Sequence, residues 1–205
     1  MNDKNSLGDF MESMEDIINN VKDPETKKDL EKIIKFHGYL SSGAYIGYQM
    51  LNIAKRELDI KDDERIFVTC ETLNCVPDAF QILRTPTVGN KGVKILDYDK
   101  MAVTINRSAD KGEKHMKGIR IFLDPKKTEK YPLLHDWFMN YKKVRHEEVL
   151  PILMEAGEDL YSWEMVEIEV PQKKKKNVLI CKMCGESFIS WDNSPVCIPC
   201  SQKKA

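Results

Sequence analysis

The chain has 205 residues, 41% of them apolar and 32% charged, with 32 Lys and Arg against 33 Asp and Glu. A net charge of −1 argues against a protein wholly dedicated to duplex nucleic acid, which carries a basic excess. No apolar run reaches the roughly 18 residues of a membrane helix, and the first residues lack the apolar segment of a signal peptide, so no membrane and a cytoplasmic location are expected.

Residues 1–60 are helical in pattern. Asp23-Pro24-Glu25 is a helix start, with Asp as cap, Pro in the first turn and Glu against the positive helix end. Leu30, Ile33 and Ile34 share one face until His37-Gly38 interrupts the run. A second helix is predicted from about Ser42, carrying Gly43, Ala44, Gly47, Met50, Leu51, Ala54 and Leu58 at helical spacing. Gly43 and Gly47 each cost about 1 kcal/mol of helix propensity against Ala, so another helix or a ligand must come close there. A two-fold homodimer is the expectation drawn from that small-residue face, with packing inside one chain as its rival.

From about residue 64 to 125 the pattern changes to period two. Ile66, Val68 and Cys70 form one strand face, and Ile119, Ile121 and Leu123 form another before Asp124-Pro125. Val93, Ile95 and Asp97 lead into a turn near Asp99-Lys100, and residues 102–105 read as the returning strand of a hairpin. Between the first two strands, the segment from Pro77 to Leu83 reads as a short helix. Helix returns from about Tyr131 to Met154, with a break expected before Pro151, and a final strand from Val166 ends at Pro171. Few helices separate successive strands, so the fold class is α+β, with helices packed on a largely antiparallel sheet. The expected domains are a core over 1–170, a basic linker over 171–177 and a small zinc finger over 178–205.

Two residues separate Cys181 from Cys184, and two separate Cys197 from Cys200. That spacing turns both sulfurs of a pair onto one ion, and four soft thiolates suit tetrahedral Zn²⁺. Gly185 supplies a backbone free to aim amides at thiolates. The layout is that of a treble-clef or zinc-ribbon finger, with Phe188, Ile189 and Trp191 in a hairpin between the pairs. Disulfides, free thiols and a rubredoxin-like iron site are the competing readings of the same four residues.

A second constellation lies in the core. Phe36-His37-Gly38-Tyr39-Leu40-Ser41-Ser42-Gly43 joins two helices, and the run from Cys70 to Asp78 joins a strand to a helix. Imidazole from one loop and thiol from another serve a metal or a nucleophilic Cys–His pair; a capping His and a buried Cys are the bland alternative. His115, His135 and His146 show no paired ligand spacing and read as surface or core histidines. The turn Gly89-Asn90-Lys91-Gly92 has a composition that can bind a phosphate or a carboxylate, but Gly-rich hairpin turns are mostly only turns.

The order and spacing of these segments resemble the E-subunit family of formylmethanofuran dehydrogenase. The resemblance rests on His37-Gly38-Tyr39-Leu40-Ser41-Ser42-Gly43, on Cys75-Val76-Pro77-Asp78-Ala79-Phe80-Gln81, and on Thr87-Val88-Gly89-Asn90-Lys91-Gly92. It departs from the family pattern where Tyr39, Ser41 and Ser42 replace a His, a Cys and a Pro, leaving His37 and Cys75 as soft ligands. What it implies is a metal-binding accessory protein associated with a molybdenum or tungsten enzyme complex, without itself performing the reduction. His37, Tyr39, Ser41, Cys75 and Asp78 would line a ligand or metal cleft, with His37 and Cys75 the catalytic candidates should there be an activity. Two other functions compete: a regulatory module whose finger contacts nucleic acid or a partner protein, nucleic acid being the less favoured, and a stand-alone enzyme using Cys75.

Overall fold

The structure, a computed structural model, describes residues 15–171 and 175–202. The helical expectation before residue 15, part of the lysine linker and the last three residues lie outside these.

Helix α1 (Pro24–His37) starts where the sequence predicts. Asp23 accepts the Thr26 N–H at 2.7 Å, a cap that contributes about 1 kcal/mol. Gly38 ends the helix at φ 100°, and its N–H closes onto the Ile34 carbonyl at 2.8 Å. Helix α2 (Ser42–Glu57) follows after four residues, capped by Ser41, whose hydroxyl accepts the Ala44 N–H at 3.1 Å. Next come β1 (Ile66–Cys70), α3 (Val76–Leu83), β2 (Val93–Ile95), β3 (Ala102–Arg107) and β4 (His115–Leu123). Two short helices, α4 (Pro125–Thr128) and α5 (Pro132–Phe138), precede α6 (His146–Ala156), and a 3₁₀ turn leads into β5 (Tyr161–Glu169).

The five strands form one sheet in the order β2-β1-β3-β4-β5. Three of the four pairings are antiparallel, as expected, but β1 and β2 run parallel. The expected hairpin between residues 93–97 and 102–105 is therefore not formed. Helix α3 lies between β1 and β2 and supplies the crossover that parallel neighbours need, so β1 inserts between β2 and β3. The long helix expected over 131–154 is also two helices. Its break falls after Phe138, where Asn140 takes φ 54°, and Pro151 sits inside α6 instead.

One core joins the sheet to the helices. Val68, Val103, Ile105, Ile119 and Ile121 on the sheet meet Leu30, Ile33, Ile46, Ile53, Phe80, Leu150 and Leu153 from the helices, all at most 1% exposed. Each such side chain contributes about 1.5–3 kcal/mol of burial free energy. The small face of α2 is consumed inside this core. A Cβ on Gly47 would stand 2.5 Å from the Val76 carbonyl oxygen, so the close approach is to α3 within one chain, and that face offers no argument for a dimer.

The chain divides into two units, residues 1–170 and 171–205. In the second, β6 (Asn177–Ile180) pairs antiparallel with β7 (Ser187–Ser190), and α7 (Ile198–Gln202) follows. The hairpin straddles the first cysteine pair rather than lying between the two pairs, because residues 181–186 form its turn.

Candidate metal centre and core ligand cleft

The turn between β6 and β7 carries Cys181 and Cys184, while Cys197 and Cys200 stand at the start of α7. All four sulfurs lie within 4.8 Å of one another, and Cys184 and Cys197 are 3.9 Å apart. A tetrahedral ion with 2.3 Å bonds to sulfur needs sulfurs about 3.8 Å apart, so the four cysteines fit one metal ion. Gly185 takes φ 76°, and its N–H reaches the Cys181 carbonyl at 2.9 Å. The Cys197 N–H points at the Cys181 sulfur at 3.4 Å, and with the Cys184 N–H it draws that thiol down to about 6. Hydrogen bonding to Cys197 is the largest cause pushing the Cys200 thiol up to about 12. Four sulfurs this close cannot all ionise unaided; a bound dication removes that repulsion. Among the described residues, no other group of three or more His, Cys, Asp or Glu ligand atoms converges this way.

In the core, a circuit of contacts links four of the predicted residues, His37, Tyr39, Cys75 and Asp78, through Gly43, Ser42 and His146. His37, at the end of α1, brings Nδ1 to 2.6 Å from Asp78 Oδ2 in the first turn of α3. Cys75 begins α3 with φ 32° and packs on Gly43, where a Cβ would be 2.9 Å from Cys75 Cβ and 3.7 Å from its sulfur. The residue before Gly43, the fully buried Ser42, meets His146 at the start of α6. Its N–H lies 3.3 Å and its hydroxyl 3.0 Å from His146 Nδ1. The Tyr39 ring closes the circuit, with centroids 5.1 Å from His37 and 5.8 Å from His146. Beside Tyr39 opens a cleft of about 360 Å³, walled by Ile18, Ile34 and Leu40 and rimmed by Glu15, Asn19 and Glu31.

Ser41 is fully buried and serves as the cap of α2 rather than lining this cleft. Cys70 is buried on β1, and burial pushes its thiol up to about 12, which makes it a poor ligand or nucleophile. His146 is the residue that sequence reasoning missed. A lone histidine 104 positions from its partner carries no spacing signal, and only the packing of α6 on α2 reveals it. His135 bonds Thr128 at 2.9 Å, and His115 lies on the surface. The Thr87–Gly92 segment is a turn held by its own side chain. Asn90 Oδ1 accepts the N–H groups of Thr87 at 2.8 Å and Gly92 at 2.9 Å.

No helix among the described residues is long and apolar enough to cross a membrane. In solved structures, a tungsten formylmethanofuran dehydrogenase FmdE-like protein from Syntrophus aciditrophicus is similar to this chain. It matches with a TM-score of 0.70 and 28% identity, over 86% of this chain and 91% of that one. A protein of Archaeoglobus fulgidus described as a probable S-adenosyl-L-methionine-binding protein is 27% identical over 192 residues, covering 82% of this chain. This chain spans about half of that relative's length, 50%. A sequence profile described as FmdE, molybdenum formylmethanofuran dehydrogenase operon, matches residues 36–169, the stretch that holds His37, Cys75, Asp78 and His146. The chain belongs to the FmdE family.

Proposed function

We propose that this protein is a zinc-binding accessory protein of the FmdE type, with a small-molecule cleft in its core domain. The observation that carries the metal reading is the convergence of four sulfurs within 4.8 Å. Zinc suits them better than iron because a thiolate tetrahedron satisfies Zn²⁺ without any electron-transfer partner. Elemental analysis of the purified chain should give one zinc per chain, and a metal-free wild type would sink the reading. The core cleft is read as a ligand site because Tyr39 borders an open cavity and packs against His37, which bonds Asp78. The Archaeoglobus relative's description supports a nucleoside-bearing ligand such as S-adenosyl-L-methionine, and calorimetric titration tests this. The partner proposed is a molybdenum or tungsten enzyme complex, to be sought by co-purification. A homodimer of the core domain is tested by sedimentation at micromolar concentration.

A second reading concerns the finger. A groove of about 430 Å³ is bordered by Phe188, Trp191, Val196, Ile198 and Pro199, with Trp191 60% exposed. Residues 171–205 also carry seven lysines against Glu186 and Asp192. These features support contact with nucleic acid or a partner protein. Binding of single strands that weakens steeply with salt would favour the nucleic-acid form.

A further inference from the structure

Among the described residues, the helices of the core unit pack on one face of the five-stranded sheet. Alternate strand residues, such as Val68, Val103, Ile105, Ile119 and Ile121, enter the hydrophobic core beneath them. The residues between these point the other way, and none of Phe67, Ala102, Met116, Phe122, Val166 and Ile168 belongs to that core. All but the buried Ala102 are half-buried. A sheet face left to water carries mostly polar residues at such positions, whereas this one is largely apolar.

A transverse row of the same face ends in opposite charges. Pairing across the strands sets Lys94, Thr69, Thr104, Arg120 and Glu164 side by side, from β2 to β5. Arg120 is neutralised within the chain by Glu71, at 2.7 and 2.9 Å, so covering the middle of the face strands no charge. Lys94 and Glu164 are exposed, and neither makes a salt bridge among the described residues. Strands stand about 4.8 Å apart, so the two ends are about 19 Å from each other, with Thr104 on β3 midway.

We propose that this face is the surface on which two copies of the core domain meet, with a two-fold axis running along β3. The inference rests on the homodimer reading above and names its surface. Such an axis turns the row end for end, so Lys94 comes opposite the partner's Glu164 and Glu164 opposite the partner's Lys94. Packed sheets lie about 10 Å apart, a gap that a lysine and a glutamate span together at the rim. Phe67, Phe122, Met116 and Val166 lose their contact with water between the two charged margins. A two-fold axis across the strands would instead set Lys94 on Lys94 and Glu164 on Glu164. An unrelated partner would not need opposite charges at opposite ends of one row.

The test uses the full chain with zinc in its finger, sedimented at micromolar concentration. The wild type should be a dimer. Lys94→Glu and Glu164→Lys each set like charges together at both margins, and each should weaken the dimer at least about tenfold. Both positions are exposed, so each variant should unfold in urea as the wild type does. Mixing the two variants in equal amounts should restore a dimer of wild-type strength, because each margin again joins a Lys to a Glu. Without any substitution, a zero-length carbodiimide should join Lys94 of a ¹⁵N-labelled copy to Glu164 of an unlabelled one. Single variants that associate like the wild type, a mixture that stays monomeric, or a wild-type dimer lacking that cross-link would overturn this inference and leave the homodimer standing. A monomeric wild type would overturn both. Should a variant not fold, the cross-link decides alone.

Discussion

Cys75 occupies the space that a side chain at Gly43 would fill. The two residues belong to helices α3 and α2, and a Cβ on Gly43 would come within 2.9 Å of Cys75 Cβ. This contact sets how closely the start of α3 approaches the start of α2, and so where Asp78 meets His37.

Replacing Gly43 by Ala should therefore destabilise the core, although Ala normally gains about 1 kcal/mol over Gly inside a helix. The expected loss is about 1–3 kcal/mol, the range for overpacking. Gly47→Ala should cost more, because the atom it meets is the rigid Val76 carbonyl at 2.5 Å rather than a side chain. Urea unfolding of both variants checks the order. A stabilised Gly47→Ala would show that α2 and α3 are not packed this way.

The finger has little besides its sulfurs to hold it. Its buried cluster consists of Cys181, Cys197 and Cys200, with Phe188 and Val196 against them. Cys184→Ser should abolish stoichiometric metal binding and release residues 177–202 to rapid amide exchange. Unfolding of the unit ending at Val170 should be unchanged. Hydrogen exchange read peptide by peptide separates the two. A finger protected without metal would contradict the argument.

Much of this was legible in the sequence, because local chemistry carried it. Asp23-Pro24 and Gly38 each act over three or four residues, and each is where the pattern placed it; Ser41, expected in the cleft, proved to be a cap instead. The cysteine pairs are equally local. The parallel pairing of β1 with β2 was not legible, since a strand of three residues leaves its partner open and only the crossover through α3 decides it. His146 was hidden for the same reason. Its meeting with Ser42 depends on α6 packing against α2, which no spacing along the chain encodes. Nor did Gly43 and Gly47 reveal whether the close neighbour was this chain or another copy.

Glu71 and Arg120 give the core a pH dependence whose sign is fixed. Glu71 follows β1 and is only 9% exposed, and Arg120 on β4 reaches it twice, Nε to Oε1 at 2.7 Å and Nη2 to Oε2 at 2.9 Å. The guanidinium's hydrogen bonds lower the Glu71 pKa below its ordinary 4.5, outweighing burial, which raises it. Below about pH 4.5 the unfolded chain thus binds a proton that the folded chain refuses until the pH falls further. The stabilisation is complete above that value and is lost as pH falls through the lower folded pKa. Glu71→Gln should remove this contribution and leave Arg120 with a partly buried, unpaired charge, so stability at pH 7 should drop by about 3–5 kcal/mol at most. Its stability should also decline less steeply than the wild type's between pH 5 and pH 3. Parallel slopes for the two proteins in urea unfolding across that range would show that the pair does not carry the acid sensitivity.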